Sequence, residues 1–219
     1  MILHVAERAN QVGNKDELVV ATDDERIVQV VEKAGFHAVL TPQHLASGSD
    51  RVGWVAKSLN YDIVVNIQGD EPLFDISAVE QGIEAMKEDR NLNVVTLGYP
   101  LEDVQTWQNP NVVKIVTDAH SNALYFSRSP IPNFRDGSFR PASFLYQHVG
   151  IYIYRRSFLL QFINWHPSPL EEAEKLEQLR ILEQGYRIKV VVSAQPSIGV
   201  DTLEDVQRIS KLMKPEGFH

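Results

Sequence analysis

Residues 61–65 form a short apolar run that stops against Asn66-Ile67-Gln68-Gly69-Asp70-Glu71-Pro72. A run of this kind reads as a buried parallel strand, and Pro72, with no N–H to donate, cannot continue the ladder. Asp70 then falls just past the carboxyl end of a strand, the edge at which open α/β sheets bind ligands. Gly69 lets a ligand come close to the backbone, and a carboxylate held beside it can fix a hard cation such as Mg2+ on a substrate phosphate. The competing reading is an aspartate that caps the next helix.

The surrounding pattern sets the fold class. Strands are expected at 17–22, 36–40, 92–98 and 187–192, the third with alternating burial. Helices are expected at 23–35, 52–59, 76–86, 170–184 and 202–213. Asp23 or Asp24 starts the first of these helices and Gly35 ends it, while Ser168, Pro169 and Glu171 form a capping box ahead of the fourth. Strands alternating with helices at these lengths predict an α/β fold with a doubly wound, mostly parallel sheet. A turn at 107–111, short strands at 112–117 and 123–127, a proline-bearing loop over 128–147 and a strand at 148–154 make a smaller lobe, about 107–155. Phe134, Phe139 and Phe144 within that loop mark an ordered lid rather than a linker. At the front, Ile2, Val5, Ala6, Ala9 and Val12 recur at helical spacing with no capping residue before them, so the chain opens inside a helix.

With 219 residues, 43% of them hydrophobic, the chain can bury the core of a single domain. No apolar run approaches the roughly 20 residues of a membrane span, and no basic-then-apolar leader is present, which points to the cytoplasm. A net charge of −8 argues against binding nucleic acid through a broad basic surface, but leaves open an anionic small molecule in a local basic pocket. The absence of cysteine excludes disulfides, thiolate catalysis and cysteine-ligated zinc.

Several other residues could carry chemistry. Asp201 follows Gly199 in a turn before the last helix, and because Thr202 is itself a good cap, the Asp201 carboxylate is left to pair with Asp70 around Mg2+ or to cap in its turn. The segment Ala46-Ser47-Gly48-Ser49-Asp50-Arg51 offers hydroxyls, open backbone and a guanidinium to a base or ribose, or is simply a helix start. His148 reads either as a ligand-binding imidazole or as a core histidine. Lys114, Arg128 and Arg135 could balance a substrate anion or be solvated charge. On the 170–184 helix, Glu174 and Gln178 stand four apart and so share a face, suited to a polyhydroxylated ligand or to solvent.

Taken in order, the segments Val20-Ala21-Thr22-Asp23, Ser47-Gly48-Ser49-Asp50-Arg51, Val65-Asn66-Ile67-Gln68-Gly69-Asp70-Glu71-Pro72, Asn109-Pro110-Asn111-Val112-Val113-Lys114, Leu124-Tyr125-Phe126-Ser127-Arg128, His148-Val149-Gly150-Ile151-Tyr152, Lys175-Leu176-Glu177-Gln178-Leu179-Arg180 and Gly199-Val200-Asp201-Thr202 resemble the 3-deoxy-manno-octulosonate cytidylyltransferases, the CMP-Kdo synthetases of lipopolysaccharide assembly. The resemblance implies a nucleotide-diphospho-sugar transferase-like fold with a small β-rich dimerisation lobe. It also implies CTP and Kdo as substrates, Mg2+ as cofactor, no nucleic-acid or membrane partner, and a homodimer. Carried onto this sequence, it assigns Asp70 and Asp201 to catalysis and metal binding. Thr22, Ser47, Gly48, Arg51, Gln68 and Asp70 fall to the nucleotide, and Gln68, Arg128, His148, Glu174 and Gln178 to the sugar. Family members begin with a strand and a triphosphate-cradling loop, and this sequence is expected to start after both. Two alternatives stay open: a cytidylyltransferase for 8-amino-Kdo or another acidic sugar, and a non-catalytic remnant.

Overall fold

A computed structural model describes residues 1–13, 15–196 and 199. Two parallel strands, β1 (Val19–Thr22) and β2 (His37–Leu40), pair in register from Val19 opposite His37 to Thr22 opposite Leu40. Between them runs α2 (Glu25–Lys33), started by the Asp24 side chain, which accepts from the Arg26 N–H at 2.8 Å, and followed by Gly35 at φ 84°. Only a residue without Cβ adopts that φ cheaply, so the chain turns there into β2. The opening helix α1 (Ile2–Ala9) buries Ala6 against Val20, Val31 and Ala38, and Ala9 against the larger sheet.

The larger sheet has six strands: β3 (Ile63–Asn66), β4 (Val94–Pro100), β5 (Lys114–Thr117), β6 (Ala123–Ser127), β7 (Leu145–Arg155) and β8 (Ile188–Val192). Their order is β6-β5-β7-β4-β8, with β3 also on β7. The α/β expectation holds, and the sheet is mixed: β4 and β8 run parallel, while β7 is antiparallel to β3, β4 and β5. Among the described residues no strand pairing joins the β1–β2 pair to this sheet.

The long strand β7, 11 residues, organises the architecture. Along one edge β4 follows it from Tyr146 to Tyr154. On the other edge β3 occupies Tyr152 to Arg155 and β5 occupies Leu145 to Gln147, which leaves a notch between them centred on Gly150. A Cβ built on Gly150 would meet nothing within 4 Å. Helices α3 (Gly48–Ala56), α6 (Arg156–Phe162) and α8 (Gln178–Glu183) cover one face, and α4 (Ile76–Glu88) the other. Alternating burial was expected in β4, yet Val94 to Gly98 are all buried, because Val94 packs on the first face and Val95 and Leu97 on the second.

Three further local expectations change. Helix α3 begins at Gly48 rather than at 52, because Ser47 and Asp50 close a capping box. Residues 104–108 form α5 (Val104–Gln108), capped by Asp103, where a turn was expected at 107–111. The 170–184 helix is broken into α7 (Pro169–Glu174) and α8 by Lys175 at φ 56°, ψ 46°. Leu176, just past the break, is thereby folded into the core beneath the first face. The expected final helix and Asp201 lie outside the described residues. In the lobe, Trp107 packs on Phe134 and Phe139 with ring centroids 5.6 Å away in each case, and its Nε1 donates to Ile131 O at 2.9 Å, so the 128–147 loop is tied to α5.

Candidate active site

The carboxyl end of β3 meets the amino end of α3. Gln68 lies so close to Gly48 that a Cβ there would stand 3.0 Å from Gln68 Oε1, so a side chain at 48 would push the amide aside by a few tenths of an ångström. Gln68 Nε2 donates in turn to Asn66 Oδ1 at 3.2 Å. Ser47, the cap of α3, uses its hydroxyl twice, accepting from Asp50 N–H at 3.1 Å and donating to Glu177 Oε1 at 3.0 Å. Residues 47, 68 and 177 thus converge at one corner of the sheet.

Glu177 was missed by i, i+4 reasoning, which selected Glu174. Its carboxylate takes hydroxyl bonds from Ser47 and Ser49 and lies 3.6 Å from Arg180. Burial nevertheless raises its pKa, with Asp50 adding to the rise and the two serines and Arg180 opposing it. Arg180 itself is held bidentately by Glu171, both bonds 2.7 Å, and stacks 4.8 Å over Phe162, so it anchors the corner rather than facing a ligand.

His148 and Tyr152 flank the notch in β7, with ring centroids 5.4 Å apart, and Phe126 meets the imidazole edge-on at 5.2 Å. Thr96 Oγ1 donates to Ile151 O at 2.8 Å, so its 3.0 Å contact with His148 has Nε2–H as donor and leaves Nδ1 as an acceptor. Burial lowers the imidazole pKa to about 3, keeping it neutral at physiological pH. Burial, and after it the neighbouring Tyr154 and Glu177, raises the Tyr152 phenol pKa well above its usual value.

Asp70 sits in the turn after β3, half-buried, with no hydrogen bond or ion pair to any other described residue. The following segment is firmly held. Asp75 caps α4 through Ala78 N–H at 3.3 Å and accepts from Ala194 N–H at 2.8 Å and from Ser193 Oγ at 3.3 Å. Arg8 donates to Phe74 O and lies 5.5 Å over the Phe74 ring. The Asp75 clamp brings the chain after β8 alongside the Asp70 turn, where a Cβ on Gly199 would stand 3.6 Å from Glu71 Oε1.

Other expected site residues have different surroundings. Arg51 donates to Asp23 Oδ2 at 3.0 Å and to Thr41 Oγ1, so it fastens α3 to the ends of β1 and β2. Thr22 is buried there, its hydroxyl accepting from Asp24 N–H at 3.2 Å and its carbonyl from Thr41 N–H at 2.7 Å. A cleft of about 640 Å³ beside this bridge carries Asp23, Asp24 and Glu25 against Arg26, an acidic balance unsuited to a polyphosphate.

Glu174 does not share a face with Gln178, because the Lys175 break turns it away. Its oxygens accept from Ser127 Oγ at 2.6 Å and Arg128 N–H at 2.9 Å. Arg128 directs Nε to Glu174 O at 3.1 Å and Nη1 to Pro110 O at 3.4 Å, which leaves Nη2 without a partner among the described residues. Lys114 is fully buried, its ammonium donating to the carbonyls of Asn109, Val112 and Arg128, so it has no donor left for a substrate; Arg135 is exposed.

The strand-end amide, the helix start and the aspartate lie where α/β folds hold their ligands, the arrangement of a transferase of the α/β class. Residues 1–188 match the family model described as cytidylyltransferase. A 3-deoxy-manno-octulosonate cytidylyltransferase of Geotalea daltonii is 47% identical over 225 residues, covering 99% of this chain and 89% of the relative. A solved CMP:2-keto-3-deoxy-manno-octonic acid synthetase in complex with CTP superposes with a TM-score of 0.90 at 38% identity, covering 97% of this chain and 86% of the other. The 4-diphosphocytidyl-2C-methyl-D-erythritol synthase of Anaerococcus prevotii, at TM-score 0.61 and 17% identity over 97% of this chain and 86% of its own, shares the fold. The chain belongs to the 3-deoxy-manno-octulosonate cytidylyltransferase family.

Proposed function

We propose that the chain transfers CMP from CTP to the 2-hydroxyl of 3-deoxy-D-manno-octulosonate, releasing pyrophosphate and giving CMP-Kdo for lipopolysaccharide biosynthesis. The observation that carries this reading is the convergence of Ser47, Gln68 and Glu177, from three distant parts of the sequence, at the mouth of the β7 notch. Phosphoryl chemistry of this kind asks a protein for positioning and charge neutralisation. Gln68 and the 47–51 loop hold the cytidine, with Arg51 fixing that loop to Asp23 and Thr41, and Thr22 holding Thr41 in turn. Arg128 turns its free Nη2 to the sugar carboxylate, while neutral His148 accepts a hydroxyl proton at Nδ1 and Gln178 adds an amide. Glu174 acts behind Arg128, through its backbone.

Mg2+ is the cofactor this site suits. Asp70 offers a hard oxygen donor that no described side chain neutralises, and Gly199, two positions before Asp201 in the sequence, lies near the adjoining Glu71. Asp70 and Asp201 would hold the cation, which would supply charge neutralisation on the α-phosphate and a lowered pKa for the attacking hydroxyl. A cytoplasmic homodimer completes the proposal. Exposed apolar side chains of the β-rich lobe, Leu124 at 62% and Phe144 at 42%, support the pairing.

Pyrophosphate release from CTP and Kdo, followed with Mg2+ and with excess EDTA, tests the reading. Release is expected only with Mg2+, and Asp70→Asn is expected to slow turnover about 100-fold or more with its melting temperature unchanged. A wild-type chain that releases no pyrophosphate sinks the activity; a fully active Asp70→Asn sinks the metal assignment.

A further inference from the structure

We infer that Asn66 is a specificity-determining residue for the sugar, its side-chain Nδ2 donating a hydrogen bond to an oxygen of the bound acidic sugar. The inference rests on the function proposed above. Asn66 is the last residue of β3 and only 2% exposed. Its Oδ1 is satisfied by Gln68, yet its Nδ2 has no hydrogen-bond partner among the described residues. A buried amide donor left unmade carries a desolvation cost that a partner from outside the chain, a ligand or the water it displaces, removes.

Its position points to the sugar rather than to the nucleotide. Asn66 stands directly opposite Tyr152 on β7, and cross-strand partners present their side chains on the same face of a sheet. Gln68 lies between Asn66 and Gly48, so Asn66 is one step deeper than the 47–51 loop, towards His148 and the open space at Gly150. Gln68 and Tyr152, the neighbours that cover the amide, are each only half-buried. A ligand that draws Gln68 aside therefore uncovers a donor already oriented by the strand. The corner is otherwise rich in acceptors, the Glu177 carboxylate and His148 Nδ1, which serve hydroxyl protons; Asn66 and the equally unpartnered Gln178 Nε2 supply donors for the oxygens.

Asn66→Leu, close in size and apolar, and Asn66→Ala remove the donor without burying a charge. Steady-state kinetics with CTP and Kdo varied separately, and thermal shifts on adding Kdo with CTP and EDTA, read the outcome. The expected result is a rise in KM for Kdo of about tenfold or more in both variants with KM for CTP within about twofold. The Kdo thermal shift is expected to be lost, and the melting temperature of Asn66→Leu not to fall. A folded variant with wild-type KM for Kdo overturns the inference, as do equal rises in both KM values. Failure of both variants to fold also overturns it, since the residue would then be structural. A wild-type chain that neither turns over nor shifts with Kdo instead overturns the function on which the inference rests.

Discussion

Two buried polar regions lie on the same six-stranded sheet and have opposite accounts. Around Lys114, where β5 meets β6, the fully buried groups are matched: the ammonium has three carbonyls, and Glu174 holds Ser127 and the Arg128 backbone, with Arg128 Nη2, on a half-buried side chain, left over among the described residues. Around Asn66 and Gln178, buried to 2% and 4% exposure, two amide nitrogens have no partner and a histidine acceptor stays open. Both regions contain residues that a reader of the sequence would assign to the substrate. A closed account marks framework, and an open one marks the place where a ligand completes the bonding.

The largest effect should follow from opening the closed region. Lys114→Met strands three carbonyls in an otherwise matched pocket, and urea denaturation should show a loss of about 3 kcal/mol, with KM for Kdo little changed in whatever remains folded. A variant as stable as wild type but with raised KM would move Lys114 to the substrate and erase the distinction. Glu174→Gln should cost less, about 1–2 kcal/mol, because an amide still accepts one of the two bonds. A selective rise in KM for Kdo at unchanged stability would return Glu174 to the sugar, where helical spacing first placed it.

The smallest effect is a matter of pH. The folded pKa of His148 is lowered to about 3 from 6.5 by burial, so between those values the unfolded chain binds the more protons. The stability this group contributes is present above about 6.5 and is lost as pH falls towards about 3. Against His148→Gln, wild type should therefore lose stability more steeply on acidification, by just under about 1 kcal/mol at pH 6. Parallel pH curves for the two would mean that the imidazole is hydrated and that its side of the notch is already open to water.

What could be read from the sequence follows the range of the interactions. The Asp70 turn and the Gly35 stop depend on residues within a few positions of one another, so composition and spacing announced them, whereas the expected helix start at 52 overlooks the Ser47–Asp50 capping box, which is equally local. The partnership of Ser47 with Glu177 spans 130 residues and has no local signature. The break at Lys175 was hidden because a lysine rarely adopts a positive φ, and because Leu176, Leu179 and Leu182 already keep a helical spacing from the very next residue. That one residue separates the expected Glu174–Gln178 pair and brings Glu177 forward. A signal did exist: Leu176 and Leu179, both buried, bracket Glu177 and Gln178 and place them at the core's margin. Burial on both faces of β4 depended on which helices cover the sheet, information that no single strand carries.

The length of β7 acts as a ruler. It sets β3 and β5 on one edge, and the distance between them is counted out in residues, from Gln147 to Tyr152. The count is not that of a regular strand: Thr96 faces Tyr152 while Leu97 faces Val149, so Gly150 and Ile151 are extra residues that bulge from the ladder with β4, and the His148 and Tyr152 rings come within 5.4 Å of each other. The spacing between the two groups is therefore set by an irregularity in the strand, and removing a residue there would first straighten β7 against β4 rather than simply shorten the gap. Variation in what the pocket accepts can then come from the bulge as well as from the residues on its rim.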